Sequence, residues 1–319
     1  MIAHGRLVRT AERTAAIFTW RTIADRAKQS PAMLRIADRL GRSRGRLRVL
    51  DRLQPQPPAP PRPILDNWEN RDLSAVWIGH ATVLLRIGHL TVLTDPVFSS
   101  RVGLGLGLAT LGPQRLTAAA LPIKALPTID LILLSHAHFD HLDRPTLARL
   151  PKRIPIVTAN DTRDLIADLG FGNITELRWG ERTSLNGLKI TAHSACHWGA
   201  RTFYDSHRGY NSYVLSAAGS RILYGGDTAY HEGFTEIAPV DLAILGIGAY
   251  DPYIRAHSTP EQTWAMANHA KADRILAMHH STFRLSHEPT HEPLERLRAA
   301  AGKNEDRIIA SRIGEQWTR

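Results

Sequence analysis

Short apolar runs separated by turn residues dominate the chain from residue 74 onward, and they predict strands. The first three runs are separated by Gly79-His80 and Gly88-His89, which are turn-like dipeptides. The apolar runs are 75–78, 82–87, 90–94, 131–134, 154–158, 188–193, 210–215, 221–224, 242–245, 274–278 and 307–310. Helices are predicted at 161–169, 259–270 and 293–301. This order predicts an α/β fold of two sheets packed face to face, with helices outside.

The first 66 residues of the chain have a different pattern. Residues 6–28 carry apolar positions at spacings of three or four, and a second helical stretch begins at Ser30-Pro31. Six prolines then occur among the ten residues 54–63, which predicts an extended connector. We therefore expect a helical arm at 1–53, a proline-rich linker at 54–66 and a main domain at 67–319.

The basic charge of the chain belongs to the arm. Residues 1–50 hold twelve basic and three acidic residues, whereas residues 51–319 hold 28 basic and 27 acidic ones. The favoured interpretation is a solvated arm that packs on the main domain. Contact of residues 1–50 with an anionic membrane surface ranks second. Nucleic-acid binding ranks third, because few aromatic residues accompany the positive charges.

Composition restricts the cellular setting. The chain has 319 residues, of which 43% are hydrophobic, and no apolar run reaches the ~18 residues of a membrane-spanning helix. Its one cysteine, Cys196, excludes an internal disulfide. The first residues lack the long apolar core of a secretory signal. We expect a cytoplasmic protein, with peripheral membrane attachment as the alternative.

One stretch carries most of the candidate chemistry. The apolar run 131–134 ends at His136, His138, Asp140 and His141, all within six residues. Imidazole and carboxylate groups are ligands that suit zinc and similar divalent ions. His136 and His138 point the same way if the segment is extended. Four donors exceed what one segment gives a single tetrahedral ion, so the pattern favours two adjacent metals over a metal-free histidine-rich loop.

Further ligand candidates follow later predicted strands. His197, Asp227 and the pair His279-His280 each come directly or shortly after one. Singly, each histidine reads as an ordinary core or surface residue, and Asp227 reads as a helix cap. Together with the first stretch, metal ligation becomes the favoured interpretation. Cys196 precedes His197, and we expect it to pack as a small apolar residue.

These residues resemble the metallo-β-lactamase-fold hydrolases. The flanking motifs look like the branch of N-acyl-phosphatidylethanolamine-hydrolysing phospholipase D, and bacterial ascorbate-phosphate lactonases share part of the pattern. The motifs that carry this resemblance are Trp77-Ile78-Gly79-His80-Ala81-Thr82, Thr94-Asp95-Pro96-Val97-Phe98-Ser99, Gly112-Pro113-Gln114-Arg115, Gly225-Gly226-Asp227-Thr228 and Ile247-Gly248-Ala249-Tyr250. The similarity extends over roughly residues 68–288. The metal motifs are specific for the fold and less specific for the substrate.

The resemblance implies an αββα sandwich with two divalent ions, for which zinc is favoured and manganese and iron are the alternatives. The implied ligands, with Asp227 and a hydroxide bridging the ions, are His136, His138 and His197 for one ion and Asp140, His141 and His279 for the other. The family pattern His-x-x-Thr-Phe aligns with His279, although the residues alone leave His279 and His280 open. Where the family often has tryptophan-glycine, this chain has His280-Ser281.

The resemblance also implies roles around the metals. His257 matches a family histidine near the substrate, but Ser258 follows it where the family commonly has methionine. Asp140 is expected to shuttle a proton while remaining a ligand. Asp95 is expected to accept a hydrogen bond from a ligand imidazole, and His80 to do related structural work.

The leading functional hypothesis is hydrolysis of a phosphodiester, of a small molecule or a phospholipid, by the bridging hydroxide. The runner-up is a lactonase or another ester or amide hydrolase that uses the same water. An RNA-processing nuclease is disfavoured, because the main domain is nearly neutral. The non-enzyme alternative is a membrane-associating protein that acts through its basic arm.

Overall fold

The computed structural model describes residues 57–105, 110–202 and 204–319. The predicted arm at 1–53 and the start of the linker lie outside these residues, so the proposed domain boundaries stay predictions. Both large sheets belong to one compact unit, which includes 57–104, 111–201 and 205–319. No helix in the described ranges is long and apolar enough to cross a bilayer.

Most of the described chain is organised as strands. They are β1 (Leu73–Gly79), β2 (Thr82–Ile87), β3 (Leu90–Thr94), β4 (Leu104–Gly105), β5 (Thr110–Leu111), β6 (Leu131–Leu133), β7 (Ile156–Ala159), β8 (Ile174–Leu177), β9 (Arg182–Leu185), β10 (Leu188–His193), β11 (Ser212–Ala217), β12 (Ser220–Tyr224), β13 (Val240–Gly246), β14 (Ala272–Met278), β15 (Ile308–Ile309) and β16 (Gln316–Thr318). The α-helices are α1 (Arg144–Arg149), α2 (Pro260–His269) and α3 (Glu292–Ala301). Short 3-10 helices occupy Trp68–Asn70, Ile123–Ala125, Arg163–Leu165, Ala167–Leu169, Gly233–Glu236 and Gly302–Arg307.

The strands form two seven-stranded sheets. The first has the order β16-β1-β2-β3-β6-β7-β8, and the second has the order β15-β14-β13-β12-β11-β10-β9. Each sheet is antiparallel at one end and parallel at the other: β3, β6, β7 and β8 run parallel in the first, as do β12, β13, β14 and β15 in the second. The carboxyl ends of parallel strands meet at one edge, where α/β proteins place their sites.

Strand β13 shows how the layers are built. Leu242 and Ile244 belong to the apolar core that both sheets share, whereas Ala243 and Leu245 pack in a separate cluster with Met266 of α2. Successive side chains of a strand point to opposite faces, so one apolar strand serves both layers. The sheets therefore pack face to face with helices on the outside of the second, as the sequence predicts.

Most predicted elements are confirmed. The runs at 82–87, 90–94 and 188–193 match β2, β3 and β10 to the residue, and the other predicted strands differ by a few residues at their ends. Helix α2 begins where predicted: the Thr259 side chain accepts from the Gln262 backbone amide and the Gln262 side chain accepts from Thr259, with proline at the first turn.

The predicted helix at 161–169 is wrong. Two 3-10 helices stand there, separated by Ile166 with φ −131° and ψ −5°, and Gly170 ends the second. The Ile166 side chain is fully buried in the core, so tertiary packing overrides the weak tendency of a nine-residue segment to form a helix. Strands β8, β9 and β16 and helix α1 were not predicted, because their runs are short and partly polar.

Candidate metal centre

Six strands deliver side chains to one edge of the two sheets. In the first sheet, His80 follows β1, Asp95 follows β3, and the stretch 135–141 follows β6. In the second sheet, His197 comes shortly after β10, Asp227 follows β12 and His279 follows β14. The turn at Gly226 needs glycine: its φ is +56°, and a Cβ there would lie 2.7 Å from the Ser135 Cβ. The two sheets therefore approach closely where their polar strand ends meet.

One group of four donors contains His136, His138, His197 and Asp227, whose ligand atoms all lie within 4.8 Å of one another. His197 Nε2 lies 3.2 Å from His138 Nδ1 and 3.8 Å from Asp227 Oδ2. His136 Nε2 lies 3.9 Å from the same carboxylate oxygen. The donor atoms are therefore not bonded to one another, and there is space for a metal ion between them.

A second group contains His80, Asp140, His141 and His279, again within 4.8 Å. Asp140 Oδ2 lies 2.9 Å from His80 Nε2 and 3.5 Å from His279 Nε2. Asp227 joins the groups, because its Oδ2 lies 3.1 Å from both His141 Nε2 and His279 Nε2. All seven predicted ligands thus come together in adjoining groups.

The structure separates His279 from His280. His279 turns its Nε2 toward the two carboxylates, with a left-handed backbone at φ +63°. His280 points elsewhere: its ring packs on Trp77 at 4.6 Å between centroids, and its Nδ1 lies 2.9 Å from Ser281 Oγ. The geometry therefore favours His279 as the donor.

Asp95 supports the donors of the first sheet. Its Oδ2 lies 2.6 Å from His141 Nδ1 and accepts hydrogen bonds from Ser135 Oγ at 2.5 Å and Tyr224 Oη at 2.6 Å. Its Oδ1 accepts from the Ser135 amide at 2.7 Å. Ser135 Oγ also lies 2.8 Å from His136 Nδ1. This fully buried carboxylate fixes the imidazole of His141, as predicted for Asp95.

His257 lies at the margin of both groups. Its Nδ1 is 3.8 Å from Asp227 Oδ2, and it forms a third donor group with Asp227 and His279. The preceding residue, Ala256, has its carbonyl 2.9 Å from His197 Nδ1. The loop that carries His257 is therefore linked directly to a predicted ligand.

The electrostatics of the cluster favour positive charge at its centre. Burial lowers the pKa of His80 to about 3 and that of His257 to about 4. Burial would raise the pKa of Asp140 and Asp227, but nearby imidazoles, His141 first, hold both pKa values well below the usual range. Burial opposes protonation of His279, yet Asp227 and Asp140 raise its pKa to about 9. The ionised carboxylates are ready to bind a metal ion, whereas the carboxylates also hold the pKa of His141 well above its usual value against the effect of burial, so that an ion binding to His141 and His279 displaces protons.

The donor set fits divalent metal ions on a further observation. Within the described ranges, buried polar atoms without a hydrogen-bond partner include His136 Nε2, His141 Nε2, His279 Nε2 and Asp227 Oδ1. Buried polar groups are normally hydrogen-bonded, and here several unpaired ones converge. Imidazole nitrogen and carboxylate oxygen together suit zinc, manganese or iron.

Two features differ from the sequence-based picture. His80 belongs to a donor group, although its motif suggested only structural work; the signal was its place in Gly79-His80 directly after a strand. The expectation that Cys196 packs as a small apolar residue is wrong, because its side chain is exposed. Beside it, Trp198 stacks on His197 with ring centroids 4.8 Å apart and is 45% exposed.

Known proteins resemble this chain in sequence and in structure. A family model described as a β-lactamase superfamily domain matches residues 91–280. An uncharacterized protein of Mycobacterium tuberculosis is 34% identical over 243 residues, which cover 72% of this chain and 64% of that protein. The chain thus spans less than two thirds of that relative.

Two further relatives are informative. N-acyl-phosphatidylethanolamine-hydrolyzing phospholipase D 1 of Caenorhabditis elegans is 28% identical over 271 residues, covering 77% of this chain and 75% of that protein. The crystal structure of isothiocyanate hydrolase from Delia radicum gut bacteria superposes with a TM-score of 0.62 at 21% identity, covering 77% of this chain and 99% of that one. This structural likeness confirms the fold, and the family model identifies it as that of the β-lactamase superfamily.

Proposed function

Because the chain belongs to the β-lactamase superfamily, we propose that it is a metal-dependent hydrolase that cleaves phosphodiesters in the manner of a phospholipase D. The observation that carries the hydrolase proposal is the meeting of two four-residue donor groups at Asp227. The relative from Caenorhabditis elegans, named as a phospholipase D, supports the choice of substrate class.

We assign the donors to two divalent ions, with Zn²⁺ favoured and Mn²⁺ or Fe²⁺ as alternatives. The proposed ligand sets, which share Asp227, are His136, His138 and His197 for one ion and Asp140, His141 and His279 for the other. When bound, such ions supply Lewis-acid charge and activate water near neutral pH. His80 is left to hold Asp140 through the 2.9 Å contact between its Nε2 and Asp140 Oδ2.

The two carboxylates take different roles because their exposure differs. The Asp227 side chain is 2% exposed and is surrounded by imidazoles, which suits a fixed bridging ligand. The Asp140 side chain is 15% exposed and is the one open to substrate. Asp140 therefore transfers the proton between the reacting groups and solvent.

His257 is the proposed substrate contact. Its side chain is 11% exposed and stands beside Asp227 without belonging to either four-residue group. A ring N–H in this position can donate to an oxygen of the substrate as negative charge develops. Replacement of His257 should therefore lower turnover while the protein keeps its metal.

The test uses purified protein with its metal content measured, supplied in turn with zinc and manganese. We expect hydrolysis of glycerophosphodiesters or N-acyl phospholipids, and loss of both turnover and bound metal in His136→Ala. His89→Ala, an exposed histidine in the turn between β2 and β3, is the matched control and should behave as wild type.

The outcomes separate the alternatives. Turnover of lactones or carboxylic esters in place of diesters would assign the same site to the runner-up class. Full activity of His136→Ala would refute the metal assignment itself. Comparison of full-length protein with a variant lacking residues 1–53 for binding to anionic vesicles tests the proposed membrane contact separately.

A further inference from the structure

The loop between β13 and α2 comprises residues 247–259, and its end is joined to the sheet by a 3.4 Å hydrogen bond from Ser258 Oγ to the Gly246 carbonyl. It carries His257, whose Nδ1 lies 3.8 Å from Asp227 Oδ2. It leaves β13 with a hydrogen bond from the Ile247 amide to the Met278 carbonyl at 3.0 Å. Ala249 then takes a left-handed conformation at φ +64°. A loop with this path needs other groups to fix it, because a strained residue persists only where its surroundings hold it.

Glu288 provides such contacts. Its Oε1 accepts hydrogen bonds from the Ala249 amide at 2.6 Å and from Ser286 Oγ at 2.6 Å. Its Oε2 accepts from the Asp251 amide at 3.2 Å. The residue is 9% exposed. One buried carboxylate thus holds two amides of the loop, two residues apart, and hydrogen bonds to an ionised acceptor are about twice as strong as neutral ones.

The chain next to Glu288 strengthens the connection. The amide of His287 donates to the Asp251 carbonyl at 2.9 Å. Tyr250 Oη donates to Glu292 Oε1 at 2.7 Å, on the first turn of α3. The segment 286–292 therefore fixes three consecutive loop residues, 249, 250 and 251, through one backbone donor, the His287 amide, and two side-chain acceptors, Glu288 and Glu292.

The other end of the loop is fixed to the metal centre. His197 Nδ1 lies 2.9 Å from the Ala256 carbonyl, and the His257 amide donates to the Tyr253 carbonyl at 3.0 Å. His257 is therefore held between a ligand on one side and the Glu288 contacts on the other. Glu288 itself belongs to none of the donor groups among the described residues, and its hydrogen bonds to the Ala249 and Asp251 amides connect it to the loop that carries His257.

We propose that Glu288 is a positioning residue that sets the place of His257 over the metal centre. The inference rests on the proposed hydrolase function and on the role assigned there to His257. It adds a residue outside the ligand set whose loss impairs turnover while the metals stay bound.

The test is a double-mutant cycle of Glu288→Gln and His257→Ala. Glutamine keeps the size of the side chain but replaces one carboxylate oxygen by an NH₂ group. This group cannot accept the hydrogen bond that one of the two backbone amides donates. We expect Glu288→Gln to lower kcat by between about ten- and a hundredfold, since small displacements of a catalytic group cost that much. Metal stoichiometry should remain that of wild type.

The test depends on whether the effects of the two substitutions on kcat are additive. If Glu288 acts through His257, then Glu288→Gln has no further effect on the residual rate of His257→Ala. A general loss of stability would reduce the rate equally in both backgrounds and would overturn the proposal, as would loss of metal in Glu288→Gln. Glu295→Gln, on the exposed face of α3, is the control and should match wild type. Ser286→Ala, which removes a hydroxyl from the carboxylate, enters the same cycle if Glu288→Gln does not fold.

A second measurement does not depend on activity. Amide hydrogen exchange at Ala249 and Asp251 in metal-free protein should accelerate in Glu288→Gln, with β13 unchanged. Unchanged exchange at both amides would refute the positioning role. Accelerated exchange in a protein that hydrolyses no phosphodiester would refute the proposed function and leave the structural role of Glu288 intact.

Discussion

The two sheets supply the metal centre in different ways. The first sheet provides four donors from the single stretch 136–141, and His80 from a neighbouring turn. The second sheet provides His197, Asp227 and His279 from three separate strand ends. One half is therefore a local motif, and the other half exists only when the second sheet is folded.

The halves also differ in how firmly their side chains are held. In the first, His141 and His136 are linked through Asp95 and Ser135, with bonds of 2.5–2.8 Å. In the second, neither ring nitrogen of His279 has a hydrogen-bond partner, and Asp227 Oδ1 is also unpaired. In the first half, the ring nitrogens of His136 and His141 that face away from the cluster are held by hydrogen bonds; in the second half His197 has such a contact, with the Ala256 carbonyl at 2.9 Å, and His279 has none.

Asp227→Asn should have the largest effect, because this carboxylate touches both halves. Its Oδ2 lies 3.1 Å from His141 Nε2 and from His279 Nε2. Loss of its charge should reduce bound metal below the wild-type stoichiometry and lower turnover by more than the roughly 10–100-fold typical of residues behind the ligands. Metal analysis and kinetics measure both.

The exposed Asp273, at the start of β14, gives the control Asp273→Asn, which should retain metal and activity. Wild-type metal content in Asp227→Asn would contradict this view of the site. The two halves would then bind metal independently of Asp227, which lies between them.

Asp95→Asn tests the organisation of the first half. The carboxylate accepts from four donors, and an amide cannot replace both oxygens. Removing one partner of a buried charged network costs about 3–5 kcal/mol, and metal affinity should fall by about 10–100-fold. Urea unfolding of metal-free protein and chelator competition measure these effects.

Asp130→Asn is the matched control on the same sheet. Asp130 Oδ2 accepts one hydrogen bond, from the Thr91 amide at 2.8 Å. Its loss should cost about 1 kcal/mol and leave metal affinity unchanged. Equal stability losses in the two variants would show that Asp95 gives the first half no special support.

The fold was predictable where pattern alone determines an element. Residues 242–245 of β13 form an uninterrupted apolar run because this part of the strand is buried on both faces, and α2 carries its own start signal in Thr259 and Gln262. The segment 161–169 was mispredicted because Ile166 follows the demands of the core. Strand β9 has polar, partly exposed residues and acquires its identity only by pairing with β10.

The residues of the candidate site also differ in how far a local sequence pattern reveals them. The stretch 136–141 is readable because consecutive residues carry the donors. His197, Asp227 and His279 are candidates because each follows a predicted strand, but their assignment to particular ions comes only from resemblance, since no local rule says which strand ends meet. The sequence indicates a structural role for His80 without its partner Asp140, and it gives no sign of Glu288, because these contacts join residues 60 and 37 or more positions apart in the chain. Sequence thus indicates the chemistry, and folding decides which residues support it.

Tyr224→Phe should have an intermediate effect and links the two halves. This residue of the second sheet donates to Asp95 Oδ2 at 2.6 Å and so supports the first sheet's carboxylate. A hydrogen bond to a charged group contributes about 1.5–3 kcal/mol, and the loss should also weaken metal binding. Tyr213→Phe is the control, because Tyr213 Oη donates to the neutral Leu134 carbonyl at 3.0 Å. Tyr213→Phe should lower the free energy of unfolding by about 1 kcal/mol without changing metal affinity. A larger loss of metal affinity in Tyr213→Phe than in Tyr224→Phe would contradict the proposed support of the metal ligands by Asp95.

The smallest effect is expected at Trp198, which supports the second half by ring contact instead of hydrogen bonds. Its indole stacks on His197 at 4.8 Å and meets the edge of His138 at 5.1 Å. Aromatic pairs contribute about 0.5–1.5 kcal/mol, so Trp198→Leu should weaken metal binding by roughly two- to tenfold in chelator competition, and Trp198→Phe should restore most of it. Trp179→Leu removes an equally exposed indole that contacts Tyr210 and neither His197 nor His138, and it should weaken metal binding less than Trp198→Leu. If Phe and Leu weaken binding equally, stacking does not hold His197, and its contact with the Ala256 carbonyl is its main support.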